Sequence, residues 1–235
     1  MKPITTLIIL TINRRRFTQI FYDLKMDKNY KHSDLTKKII VAVILLLFFQ
    51  SCVISEFKPV SKTYDYKKIL SETGKSYVYR TRIHLYDNDF SGLIVIKSEK
   101  TGHRIVFLNE IGMKFFDIEL LPRSYKIHHI FKPMNKKMLI KLLVSDFNFI
   151  LMNDIKSEDK FLKEKKSEKF ALKPKKVKNI YYLDKNTLLP KEAFKYSAFR
   201  KTTLLNYKNY NTEIPQNISI KHNNIKFAME LSFIK

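Results

Sequence analysis

Ser76-Tyr77-Val78-Tyr79-Arg80-Thr81-Arg82-Ile83-His84-Leu85-Tyr86 is the stretch on which the fold turns. Tyr77, Tyr79, Thr81, Ile83 and Leu85 fall on one face, and Arg80, Arg82 and His84 on the other. Alternation with period two describes a strand with one dry and one wet face. The pattern then repeats along the chain. Asp87-Asn88-Asp89 is a turn cluster, because short polar side chains cap their own backbone. Gly92 to Lys97 follows as a β-branched run, then His103 to Asn109, Met113 to Leu120 and Ser124 to Phe131, separated by turns at Lys100-Thr101-Gly102, Glu110-Ile111-Gly112 and Leu121-Pro122-Arg123. Phe116, Ile118 and Leu120 alternate with Asp117 and Glu119.

The period changes once. Pro133 stands near the start of a predicted helix in which Met134, Met138, Leu139, Leu142 and Leu143 form one stripe. The helix is expected to end near Ser145, with Phe147, Phe149 and Leu151 returning to strand spacing. A shorter amphipathic helix is expected over residues 64–73. Residues 153–178 hold ten lysines and predict an exposed excursion. Strands resume over Ile180 to Leu183, Leu188 to Phe194, Thr202 to Tyr210, Asn217 to Lys221 and Ile225 to Ile234. Sequential strands around one long helix predict an α+β domain, a curved antiparallel sheet or incomplete β-barrel wrapped round a helix.

Upstream lies a second kind of signal. Lys37-Lys38 precedes eleven apolar residues, Ile39 to Phe49, and then Gln50-Ser51-Cys52, the only cysteine. As a helix those residues span about 16 Å, against a hydrocarbon core of about 30 Å. The run is short for a membrane span and suits the core of a secretory signal. It resembles bacterial lipoprotein signal sequences, in which the cysteine after the cleavage site is acylated and becomes the N-terminus. That resemblance implies lipidation at Cys52. The expected organisation is a non-native extension over 1–25 with translation starting at Met26, a signal peptide over 26–51, a tether over 52–63 and a single domain over 64–235.

The chain carries 45 Lys and Arg against 22 acids, a formal charge of +23. With residues 1–51 removed, 36 basic and 19 acidic residues remain, about +17. Such a charge attracts polyanions. Few arginines are present and lysines are spread through strands and loops, so nucleic acid is not the expected partner. Anionic lipid head groups suit better, at about 1 kcal/mol per well-placed cation near a membrane surface.

Motifs for catalysis are missing. The sequence has no HExxH, no GxSxG and only four isolated glycines, Gly74, Gly92, Gly102 and Gly112, too few for a phosphate-cradling loop. His128-His129 are adjacent on a strand and point to opposite faces, which argues against a shared metal. His84, His103 and His222 have no acidic partner at a telling spacing, and Asp146 is read as a cap or ion-pair residue. The expectation is a protein without enzymatic activity, metal or cofactor.

Phe90 to Ile96, Arg104 to Phe107, Gly112 to Glu119, the helix tail Leu142 to Phe147 and the closing Ile214 to Ile220 and Phe227 to Phe233 together resemble the Lol-type outer-membrane lipoprotein carrier and acceptor family, over roughly 76–235. The resemblance implies a half-barrel enclosing an apolar cavity for acyl chains. Lining residues would then include Leu93, Val95, Phe107, Phe116, Ile118, Leu142, Phe227 and Leu231. Leu121 is the expected insertion loop, and Arg80, Arg82 and Arg104 are candidates for a gating arginine. It further implies an outer-membrane location facing the periplasm, with acyl chains or lipoproteins as partners. The alternative is a structural or assembly lipoprotein with a filled core and a protein partner.

Overall fold

A single row of side chains explains how the sheet holds together. Phe161, Leu172, Tyr181, Ala193, Leu205, Ile220, Met229 and Ile83 are successive cross-strand partners on eight adjacent strands, and all are buried. A second row, Tyr79, Ile94, Phe107 and Phe116, continues across four strands and is fully buried. Each strand contributes alternate residues to these rows, so one face becomes continuous apolar surface.

The computed structural model describes residues 57–60, 68–156, 160–164, 170–173, 178–197 and 200–235. Their strands are β1 (Phe57–Pro59), β2 (Ser76–Leu85), β3 (Asn88–Glu99), β4 (Gly102–Leu108), β5 (Lys114–Leu120), β6 (Tyr125–Ile130), β7 (Lys160–Glu164), β8 (Phe170–Lys173), β9 (Asn179–Leu183), β10 (Pro190–Ser197), β11 (Arg200–Asn211), β12 (Ile214–His222) and β13 (Phe227–Phe233). They form one antiparallel sheet in the order β1-β7-β8-β9-β10-β11-β12-β13-β2-β3-β4-β5-β6. All belong to the compact unit Ser55–Lys235. The sheet is not closed: β1 and β6 are its edges. It curves around helix α1 (Lys137–Ile150), as the strand pattern predicts. The proposed extension, signal segment and Cys52 lie outside the described residues, as does most of the tether.

Two glycines permit the coiling. A Cβ on Gly92 would sit 1.9 Å from the carbonyl oxygen of Leu108, and one on Gly102 would sit 1.9 Å from that of Leu120. Both lie where neighbouring backbones press together, and a hydrogen in place of a methyl makes that approach possible.

The helix departs from its expected limits. Pro133 sits in a 3-10 turn, Lys132–Met134, and α1 runs on to Ile150 where a strand is expected after Ser145. Leu139, Leu143, Phe147 and Ile150 are spaced four, four and three apart and all are buried, so the helical stripe continues through the aromatic segment. Phe147, Phe149 and Leu151 read equally well at period two, and tertiary packing chose the helix. Met138 leaves the stripe and is 76% exposed.

The Lys-rich excursion is also corrected. Strands β7 and β8 occur within it, with Phe161 stacked on Phe170 at 5.1 Å and Ala171 and Leu172 buried. Lysines outnumber the few apolar residues of this stretch, so its inward parity does not stand out in the sequence. Within the expected helix over 64–73, the described residues 68–73 include turns and no helix, and Ile69 and Leu70 are buried.

Candidate functional site

Phe107, Phe116, Ile118, Phe227 and Leu231 lie on the inner face of the sheet and are buried. Leu142, on α1, is partly buried against the same core. Leu93 and Val95 do not join them. They pair with Leu108 and Val106 on the outer face, while Ile94 and Ile96 point inward. The run Leu93 to Ile96 is apolar on both faces, so its sequence carries no mark of which side is inside. This corrects the expected lining.

The interface between helix and sheet is occupied by rings. Phe107 stacks on Phe115 at 5.0 Å and tilts against Phe116 at 5.5 Å. Phe116 meets Phe147 of α1 edge-on at 6.0 Å, and Phe149 meets Tyr181 at 5.3 Å. These distances are those of favourable aromatic pairs. The large side chains at inward positions therefore fill the space in which an acyl chain would lie.

Polar bonds fasten the helix from below. Lys195, Thr203 and His222 are neighbours on β10, β11 and β12, two residues beyond the inner row of Ala193, Leu205 and Ile220. Asp146 of α1 descends onto them. Its Oδ1 accepts from Lys195 Nζ at 3.0 Å and its Oδ2 from His222 Nε2 at 2.7 Å. Thr203 Oγ1 stands 3.3 Å from His222 Nδ1. Tyr207 donates to the Ile150 carbonyl at 2.8 Å, and Tyr181 donates to the Asp154 carboxylate, with its hydroxyl oxygen 3.3 Å from the Phe149 carbonyl. Burial raises the pKa of both phenols, so they remain donors. The acidic partner of His222 is Asp146, 76 positions away, beyond any spacing a local pattern can show.

Hydroxyl, imidazole and carboxylate in line suggest a hydrolytic relay. Thr203 is only 2% exposed and Asp146 fully buried, so a substrate cannot reach the hydroxyl. The group clamps α1 to the sheet.

The three arginines take outer positions. Arg80 and Arg82 are exposed on β2. Arg104 forms a bidentate pair with Asp117, at 2.9 and 3.0 Å, and Lys114 adds a third bond at 2.9 Å. The Arg104 bond, aided by Lys114, overcomes desolvation and holds the Asp117 carboxyl at about 2. None of the three faces the interior, which removes them as gates to it. His128 binds Glu119 at 2.8 Å and His129 binds the Lys114 carbonyl at 3.0 Å, so the pair shares no ligand. Among the described residues, no cluster of three or more metal-binding side chains occurs.

Leu121 is partly buried in the turn between β5 and β6, closed by its N–H on the Ser124 carbonyl at 3.0 Å. Beside it opens a cleft of about 630 Å³, walled by Lys68, Lys100, His103, Leu121, Arg123 and Val144 among others. His103 Nε2 donates to the Leu70 carbonyl at 3.2 Å, which leaves Nδ1 as the acceptor; Nδ1 is buried and has no partner among the described residues. Desolvation, with Lys68 nearby, lowers the His103 pKa despite the Leu70 bond.

No family model matches the chain, and no curated protein matches it. Among solved structures it is similar to a candidate outer membrane lipoprotein-sorting protein domain from Vibrio parahaemolyticus, at 15% identity and a TM-score of 0.39, covering 70% of this chain and 86% of that one. It is also similar to a DUF1329 family protein from Desulfovibrio piger, at 11% identity and a TM-score of 0.39, covering 70% and 85%.

Proposed function

We propose that this chain is a lipid-anchored envelope protein, held by Cys52 at the outer membrane and facing the periplasm. Its half-barrel handles the acyl chains of lipids or lipoproteins without catalysing a reaction. The observation that carries the reading is an unclosed sheet whose inner face is apolar from Phe161 to Phe116 and is covered, among the described residues, by one α-helix. An acyl chain enters by replacing side-chain contacts along α1, since Phe107, Phe116 and Phe147 occupy that space. Exchanging one apolar surface for another costs little hydrophobic free energy; the Asp146 clamp sets the resistance.

A second reading has its own support. The same filled interior suits a scaffold that presents its outer face to a protein partner. Titration of the full chain with a fluorescent fatty acid separates the two. The acyl-handling reading expects saturable binding that Phe147→Ala strengthens, because the lost ring leaves room beside α1. No saturable uptake by the folded protein, with or without the substitution, leaves the scaffold.

A further inference from the structure

We propose that the cleft beside the Leu121 turn binds the phosphate of an amphiphile's head group, with Lys68, Lys100 and Arg123 as its cationic contacts. This rests on the lipid-handling reading above and names the part of the lipid that is recognised. The three cations come from separate segments: the turn before β2, the β3–β4 turn and the β5–β6 turn. Elsewhere Arg104, Lys114, Lys191 and Lys195 are each ion-paired. Lys68, Lys100 and Arg123 have no carboxylate within ion-pair distance among the described residues.

Two acids, Glu99 and Asp154, also line the cleft, and each has a partner of its own. Glu99 lies 3.8 Å from Lys97, and the Asp154 carboxylate accepts from Asn179 and Tyr181. Burial lowers the Lys68 pKa even with Asp154 nearby, so an incoming anion meets an ammonium that lacks full hydration. Charge-assisted bonds are strongest in that setting. Leu121 and Val144 supply an apolar wall on the same cleft, which fits the first carbons of an attached chain. A phosphate joined to a hydrocarbon satisfies both walls at once.

The cleft's position agrees with the tether. Followed along the ladder, the start of β1 at Phe57 shares its strand ends with the turns at 100–101 and 121–124. Four residues lie between Cys52 and Phe57, a reach of at most about 18 Å. With Cys52 acylated, as proposed, the membrane would lie toward the strand ends that β1 shares with the cleft.

The test is calorimetric titration of the full chain with inorganic phosphate and glycerol 3-phosphate, alongside co-sedimentation with phosphatidylglycerol and phosphatidylcholine vesicles. The proposal expects saturable glycerol 3-phosphate binding and a preference for phosphatidylglycerol. Lys100→Ala with Arg123→Ala should weaken both by about tenfold or more at unchanged thermal stability. Lys136→Ala with Lys137→Ala removes the same charge at the opposite strand ends and should leave both intact. Equal losses in the two double variants overturn the proposal in favour of general basicity. Phosphate binding without a vesicle preference overturns the head-group assignment. Fatty-acid uptake is read separately: its failure with phosphate binding intact rejects the acyl reading alone, and the reverse rejects this one alone.

Discussion

Asp146 carries its charge into an apolar helical stripe because His222 and Lys195 meet it there. Removing one partner of a buried pair leaves the other desolvated and unpaired, at a cost of about 3–5 kcal/mol. Asp146→Ala should therefore destabilise the fold by that order in urea denaturation, and Asp146→Asn by less, since the amide oxygen still accepts. A second buried residue makes stability depend on pH. His103 has a folded pKa below its ordinary value, so the unfolded chain binds a proton first as pH falls. Its contribution is full above about 6.5 and declines below it, by at most about 1.4 kcal/mol per pH unit. His103→Gln should flatten the urea midpoint between about pH 6.5 and 5; an unchanged slope sinks the assignment. Neither residue announced its role in the sequence. The partners are distant along the chain, and only register brings them together.

At the scale of elements, strands were the most legible part. The β2 alternation places Tyr77, Tyr79 and Ile83 inside and Arg80, Arg82 and His84 outside, because a surface with one wet face writes its parity into the side chains. Where both faces are apolar, as in Leu93 to Ile96, that information is absent and the inner residues cannot be chosen from sequence. Where lysines dominate, as in β7 and β8, the inward residues are too few to stand out. Helix α1 shows a third cause: its aromatic end satisfies both periods, and the Asp146 clamp with the Tyr207 bond settles it as helix. The glycines make the strongest element-level test. Gly92→Ala sets a methyl against the Leu108 carbonyl, so β3 and β4 must separate locally. The expected loss is about 3 kcal/mol or more, seen as a lower thermal midpoint and faster amide exchange in β4.

For the molecule as a whole, anchoring and binding are separable properties. Each buried CH₂ of an acyl chain adds about 0.8 kcal/mol of membrane affinity, so under the proposed lipidation two or three chains on Cys52 would make release negligible. Cys52→Ala should abolish metabolic labelling with an alkyne palmitate and move the protein from the membrane to the soluble fraction. Labelling that persists in the variant refutes lipidation at that residue, because no other cysteine exists. If Cys52 is lipidated as proposed, the half-barrel acts where it is fixed, which favours an acceptor or scaffold over a shuttle.

The sequence by itself determined the class of fold: strand parity is a local property, and it predicted a curved antiparallel sheet around a helix. The lipoprotein-like segment ending at Cys52 was equally local, a matter of charge, run length and one cysteine. Tertiary structure alone decided which face of β3 is inside, how far α1 extends, and that rings fill the space beneath it. It also brought Asp146 to His222 and gathered Lys68, Lys100 and Arg123 around one cleft. These outcomes depend on cross-strand register and on contacts between residues far apart in the chain, neither of which a local pattern encodes.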